Sequence, residues 1–126
     1  SRGLLSLDTL AEIHNNMIEK IEKTGGRIDH IFYCPHDKDD NCICRKPKPA
    51  MIKMAAEKFG VSMNETIFLG DFFTDFETAR NAKCDFIYID TPSDEREKHR
   101  KMFKKANIKP ITFTSLYEAA RWLTKN

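Results

Sequence analysis

Glu65–Ile89, ETIFLGDFFTDFETARNAKCDFIYI, carries the pattern that decides the fold. ETIFL (65–69) is a short apolar run fit for a strand, Gly70-Asp71 turns the chain out of it, Asp75–Ala82 is helical, and DFIYI (85–89) is the next strand, ending at Asp90-Thr91-Pro92. Strands joined through a helix run parallel, so the stretch predicts an α/β domain with a doubly wound, mostly parallel sheet flanked by helices. In such sheets, sites lie outside the carboxyl ends of the strands, where Asp71 and Asp90 stand. Gly70 permits a tight exit, and the Asp71 carboxylate is an oxygen ligand suited to Mg2+. Asp75 follows one helical turn later. Either acid could instead cap the helix.

Upstream, Ala50–Phe59 (AMIKMAAEKF) reads as a helix stopped by Gly60, with Met51 and Met54 toward the core. Before it comes YCPHDKDDNCICRKPKPAMI (33–52), which crowds Cys34, His36, Cys42 and Cys44 into one short loop. Thiolate and imidazole are the ligands zinc prefers, and a loop this short can fold back to supply a closed tetrahedral set. The alternative is reduced cysteines beside a surface histidine. A helix-borne H-x3-H is absent from this stretch, which argues against a DNA-reading finger. Pro47 and Pro49 stiffen the chain around Arg45 and Lys46, an arrangement suited to an anionic substrate, or else a solvated basic turn. Farther upstream, RIDHIFY (27–33) reads as a strand delivering Cys34. Leu10, Ile13, Met17, Ile18 and Ile21 mark a helix from Leu7, capped by Asp8 and ended by Gly25-Gly26.

Downstream, Asp94–Lys105 is a charged helix or loop whose His99 suggests no function. Ile111–Thr114 reads as an edge strand, and Ser115 caps a helix, Leu116–Thr124, that turns Trp122 and Leu123 inward. Cys84 is expected to be a buried thiol. The 126 residues fit a single domain, 40% hydrophobic residues are ordinary for a globular protein, and a net charge of +2 is too mild to argue for a nucleic-acid or membrane binder. With no long apolar run and four cysteines, the expectation is a cytoplasmic protein with reduced or metal-bound thiols.

Taken together, C-x-H-x5-C-x-C-R-K-P-K-P followed by a strand and G-D-x-x-x-D resembles the zinc-containing branch of the haloacid dehalogenase-like (HAD) phosphatases. The likeness covers nearly the whole chain. It implies structural Zn2+ on Cys34, His36, Cys42 and Cys44 (zinc loop 34–44) and catalytic Mg2+ on Asp71. It also implies that Lys46 steadies the phosphoryl group, Arg45 contacts the substrate, and Asp75 supports the site. The activity implied is a Mg2+-dependent sugar-phosphate phosphatase of heptose synthesis, working through an aspartyl-phosphate. The alternatives are an amino-alcohol phosphate phosphatase, or a non-catalytic zinc module that binds a phosphorylated ligand or partner. The family's D-x-D nucleophile closes an N-terminal strand, whereas the D-x-D here, Asp37-Lys38-Asp39, lies in the zinc loop. Where the family commonly has a cationic or small polar residue after Gly-Asp, this chain has Phe72. The expectation is therefore a partial HAD domain that lacks its central nucleophile strand and is inactive alone. Such a sheet should self-associate or recruit an N-terminal segment in trans.

Overall fold

The computed structural model describes residues 6–34 and 42–125. The chain forms two compact units, Ser1–Arg45 and Lys46–Asn126.

In the first unit, α1 spans Leu7–Lys23. Its cap is Ser6, whose Oγ accepts the Thr9 N–H, so the expected cap at Asp8 moves two residues upstream; Asp8 sits instead in the first turn, where its charge favours the helix dipole. The helix ends in a double closure, with Gly26 N–H on Ile21 O and Gly25 N–H on Glu22 O, both at 3.0 Å. Gly25 stands at φ 87°, the left-handed position that this ending requires. Arg27–Tyr33 is not a strand. A strand exists only through ladder bonds to a neighbour, and these residues have none among the described ones. Tyr33 instead sets its ring against His14 of α1, 5.5 Å between centroids.

In the second unit, α2 (Ala50–Phe59) ends at Gly60, left-handed at φ 66°. A short 3-10 turn at Met63–Glu65 follows, closed by the Ser62 N–H on Glu65 Oε1. Then come β1 (Ile67–Gly70), α3 (Phe73–Ala82), β2 (Asp85–Ile89), α4 (Arg96–Lys105), β3 (Ile111–Phe113) and α5 (Leu116–Thr124). The sheet order is β1-β2-β3, all parallel, with Leu69 opposite Ile87 and Tyr88 opposite Thr112. β1 therefore lies at the edge of the sheet among the described residues.

The alternation along β2 builds the core on both faces. Tyr88 packs with Phe73 and Phe103 against Phe76, Phe86, Met102 and Ile108. Ile87 and Ile89 pack with Ala119 against Leu69, Phe113 and Leu123. Leu123 points inward as expected, but Trp122 is 42% exposed, with its ring against Phe113 of the strand at the edge among the described residues. Met54 is half exposed, because the buried stripe of α2 runs through Ile52 and Ala56. Cys84 is partly buried, at the start of β2, and desolvation raises its thiol pKa. Among the described residues no helix is long and apolar enough to cross a membrane.

Candidate functional site

In the first unit the chain brings Cys34, Cys42 and Cys44 together, with their sulfurs all within 4.8 Å of one another. Cys34 and Cys42 lie 3.5 Å apart, and the Cys44 thiol donates to Cys34 Sγ at 3.0 Å. Thiolates on a tetrahedral zinc sit roughly 3.8 Å apart, given Zn–S bonds near 2.3 Å, so these sulfurs need to part by less than about 1 Å to take such an ion. Desolvation raises the Cys42 thiol, but hydrogen bonds from Cys34, the Arg45 backbone and Cys44 outweigh it and bring the pKa down to about 6. The Cys44 thiol is pushed up to about 12, first by its hydrogen bond to Cys34, then by desolvation and the neighbouring sulfur charges. The group is poised to hold negative charge, which a cation would complete. The fourth expected ligand, His36, lies outside the described residues, as does Asp37-Lys38-Asp39. Arg45 is half-buried directly after the cluster.

The second unit gathers Lys46, Gly70, Asp71 and Asp75 around the end of β1. Asp75 is 4% exposed, an expensive place for a carboxylate unless both oxygens are engaged. Lys46 Nζ donates to Oδ1 at 2.6 Å, and the Phe72 backbone N–H donates to Oδ2 at 3.1 Å. Asp75 thus closes the first turn of α3, which begins at Phe73, two residues earlier than its sequence suggested. A Lys ammonium carries three donors, of which Asp75 takes one, so the charge is oriented without being used up.

Gly70 has a more particular task than a tight exit. A Cβ there would run into the Asp75 side chain, at Cβ and Oδ2. Gly70→Ala is expected to cost about 1–3 kcal/mol, because neither the strand nor the buried carboxylate has room to give. Thermal melts of the two proteins check this, and an unchanged midpoint would mean that Asp75 is not seated against the strand. Asp71, the next residue, is exposed and free to face a ligand.

Two arrangements had no place in the sequence reading: the clamp on Asp90 and the cleft beside it. Asp90, at the end of β2, is 8% exposed and gripped from α4 by Arg96 Nε at 2.9 Å and Arg100 NH2 at 2.7 Å. Desolvation raises its pKa, yet the two guanidinium groups overcome this and hold it below the ordinary aspartate value. Burial and the Asp90 charge raise the pKa of Tyr88, whose hydroxyl lies 3.5 Å from Asp90 Oδ1. The spacing of Arg96 and Arg100 on one helical face was the available signal. His99, between them, is 5% exposed rather than on a solvated face. A cleft of about 420 Å³, lined by Tyr88, Asp90, Arg100, Phe103, Lys104 and Ile108 among others, contains none of the site residues expected from the sequence.

Lys46, Asp71 and Asp75 stand at the end of the first strand of a parallel sheet packed between helices. Residues 43–119 match the HAD-hydrolase-like family, and the chain belongs to it.

Among individual proteins, the chain is 38% identical over 91 residues to the D-glycero-β-D-manno-heptose-1,7-bisphosphate 7-phosphatase of Pseudomonas aeruginosa, covering 72% of this chain and 51% of that protein. The enzyme of the same name from Pseudomonas putida is 35% identical over 96 residues, covering 76% and 55%. The crystal structure of the D,D-heptose 1,7-bisphosphate phosphatase from B. bronchiseptica, complexed with magnesium and phosphate, superposes with a TM-score of 0.84 at 29% identity. It covers 98% of this chain and 68% of that one. The chain spans about half the length of the curated relatives it matches.

Proposed function

We propose that these residues form the Mg2+- and phosphate-handling portion of a HAD-type sugar-phosphate phosphatase, acting on D-glycero-D-manno-heptose 1,7-bisphosphate at the 7-phosphate. The observation that carries this reading is the Lys46–Asp75 pair at 2.6 Å, set one turn beyond an exposed Asp71. Asp71 offers a hard oxygen for Mg2+, and the bound ion would neutralise phosphoryl charge. Lys46, aligned by Asp75, presents a fixed cation to the phosphate, and Arg45 adds a fork able to take two of its oxygens. Cys34, His36, Cys42 and Cys44 close the 34–44 loop around Zn2+, whose four protein ligands leave no position for chemistry. In this reading 1–126 act as one hydrolase domain.

The attacking aspartate is not assigned to any of these residues. Asp37-Lys38-Asp39 belongs to the zinc loop, and Asp90 is held by two arginines. The nucleophile then enters on a strand that pairs with the open edge of β1, from an N-terminal segment or from another copy of the chain.

The test is to assay the chain alone, and the chain fused to an N-terminal strand ending in D-x-D, on heptose 1,7-bisphosphate and on histidinol phosphate with Mg2+. The chain alone should show no turnover. The fusion should prefer the bisphosphate and lose at least about a hundredfold in rate on Asp71→Asn or Lys46→Met. Turnover by the chain alone would overturn the assignment of the nucleophile. Preference for histidinol phosphate would overturn the substrate, and an inactive fusion that still binds phosphate esters would favour a non-catalytic module.

A further inference from the structure

We infer that His99 is a positioning residue for Asp71, an inference that rests on the Mg2+ site proposed above. Phe73 donates its backbone N–H to His99 Nδ1 at 3.0 Å, across 26 residues of chain, inside the protein. Because an N–H donates to it, Nδ1 is unprotonated, and the ring proton sits on Nε2. Nε2 is buried without a hydrogen-bond partner among the described residues, and Glu95 Oε2 stands 3.7 Å away, too far for one. A half-satisfied buried imidazole is costly and calls for an explanation beyond packing.

The surroundings supply it. The His99 ring also stacks on Phe72, 4.4 Å between centroids and 16° between planes. The Phe72 N–H is taken by Asp75. Thus the two residues that follow Asp71 are held at three points, while Asp71 itself remains exposed. The first amide of α3 is capped in trans, from α4, rather than by a side chain of its own turn. α4 in turn cannot slide, because Arg96 and Arg100, on either side of His99, both clamp Asp90 at the end of β2. The Asp90 clamp fixes His99, His99 fixes Phe72 and Phe73, and these fix the direction in which the Asp71 carboxylate leaves the sheet. Pre-orienting a ligand in this way raises metal affinity.

The experiment compares His99→Asn, whose amide can offer an acceptor near the place of Nδ1, with His99→Gln, which offers one near Nε2. Both are polar, and neither residue position is a metal ligand. Mg2+ alone is titrated into each protein and into wild type, following the amide resonances of Gly70 and Asp71, with Asp71→Asn as the blank. His99→Asn should bind within about twofold of wild type, and His99→Gln roughly tenfold more weakly. Phe73 amide exchange should quicken only in the latter. Equal Mg2+ affinity in the two variants, with faster Phe73 exchange in His99→Gln, would overturn the inference and leave His99 a helix cap. A wild type indistinguishable from the Asp71→Asn blank would overturn the Mg2+ site itself, and this inference with it.

Discussion

Cys42→Ser is expected to weaken zinc binding by roughly a hundredfold or more, since each ligand carries a share of a binding energy on the order of 10–16 kcal/mol. The wild-type chain should purify with one zinc, and a chelator should leave the amides around Cys42–Arg45 exchanging freely. Acidity gives an independent check. Zinc is bound by thiolates, and the Cys42 thiol sits at about 6 while Cys44 sits at about 12. At neutral pH Cys42 is largely ready to ligate, whereas Cys44 gives up its proton only to the metal. Zinc uptake should therefore release at least one proton per ion. Its affinity should fall as pH drops through about 6, where Cys42 regains its proton. Much less than one zinc per chain in elemental analysis, or uptake without proton release, would rule the cluster out as a zinc site.

The second large effect concerns Asp90→Asn. The substitution leaves Arg96 and Arg100 facing a neutral amide, and should cost about 2–3 kcal/mol, or roughly 10 °C in melting midpoint. Asp90 has a depressed pKa in the folded protein, so its contribution is complete above the ordinary aspartate value of 3.8 and is lost as pH falls through the folded value. The stability gap between wild type and Asp90→Asn should thus be wide at neutral pH and close below pH 3.8. Melts from about pH 2 to pH 7 read this directly. A gap that persists unchanged into acid would show that shape, and not charge, makes Asp90 matter.

The alternation of strand and helix was plain in the chain. Ala50–Phe59, Asp85–Ile89 and Leu116–Thr124 have the bounds their residues suggest, because hydrophobic period, Gly60 and Ser115 all act locally. RIDHIFY failed for a physical reason: its isoleucines and aromatics suit a strand, but pairing is a property of two segments and only one was in view. The site followed the same division. The thiol cluster was legible because its members are close in sequence. The Lys46–Asp75 bond spans 29 residues and the His99–Phe73 bond 26, and no local pattern encodes a meeting at that range. Trp122 was misjudged because helical position alone does not say that its neighbour is an edge strand.

The fastening of Lys46 to Asp75 has an electrical consequence. Lys46 and Asp75 offset one another, which leaves the exposed Asp71 carboxylate without an ion pair among the described residues. On the reading proposed above, a divalent cation on Asp71 would remove that remaining negative charge before a phosphate ester docks against Lys46. The expected order of assembly at this strand end is then cation first, anion second.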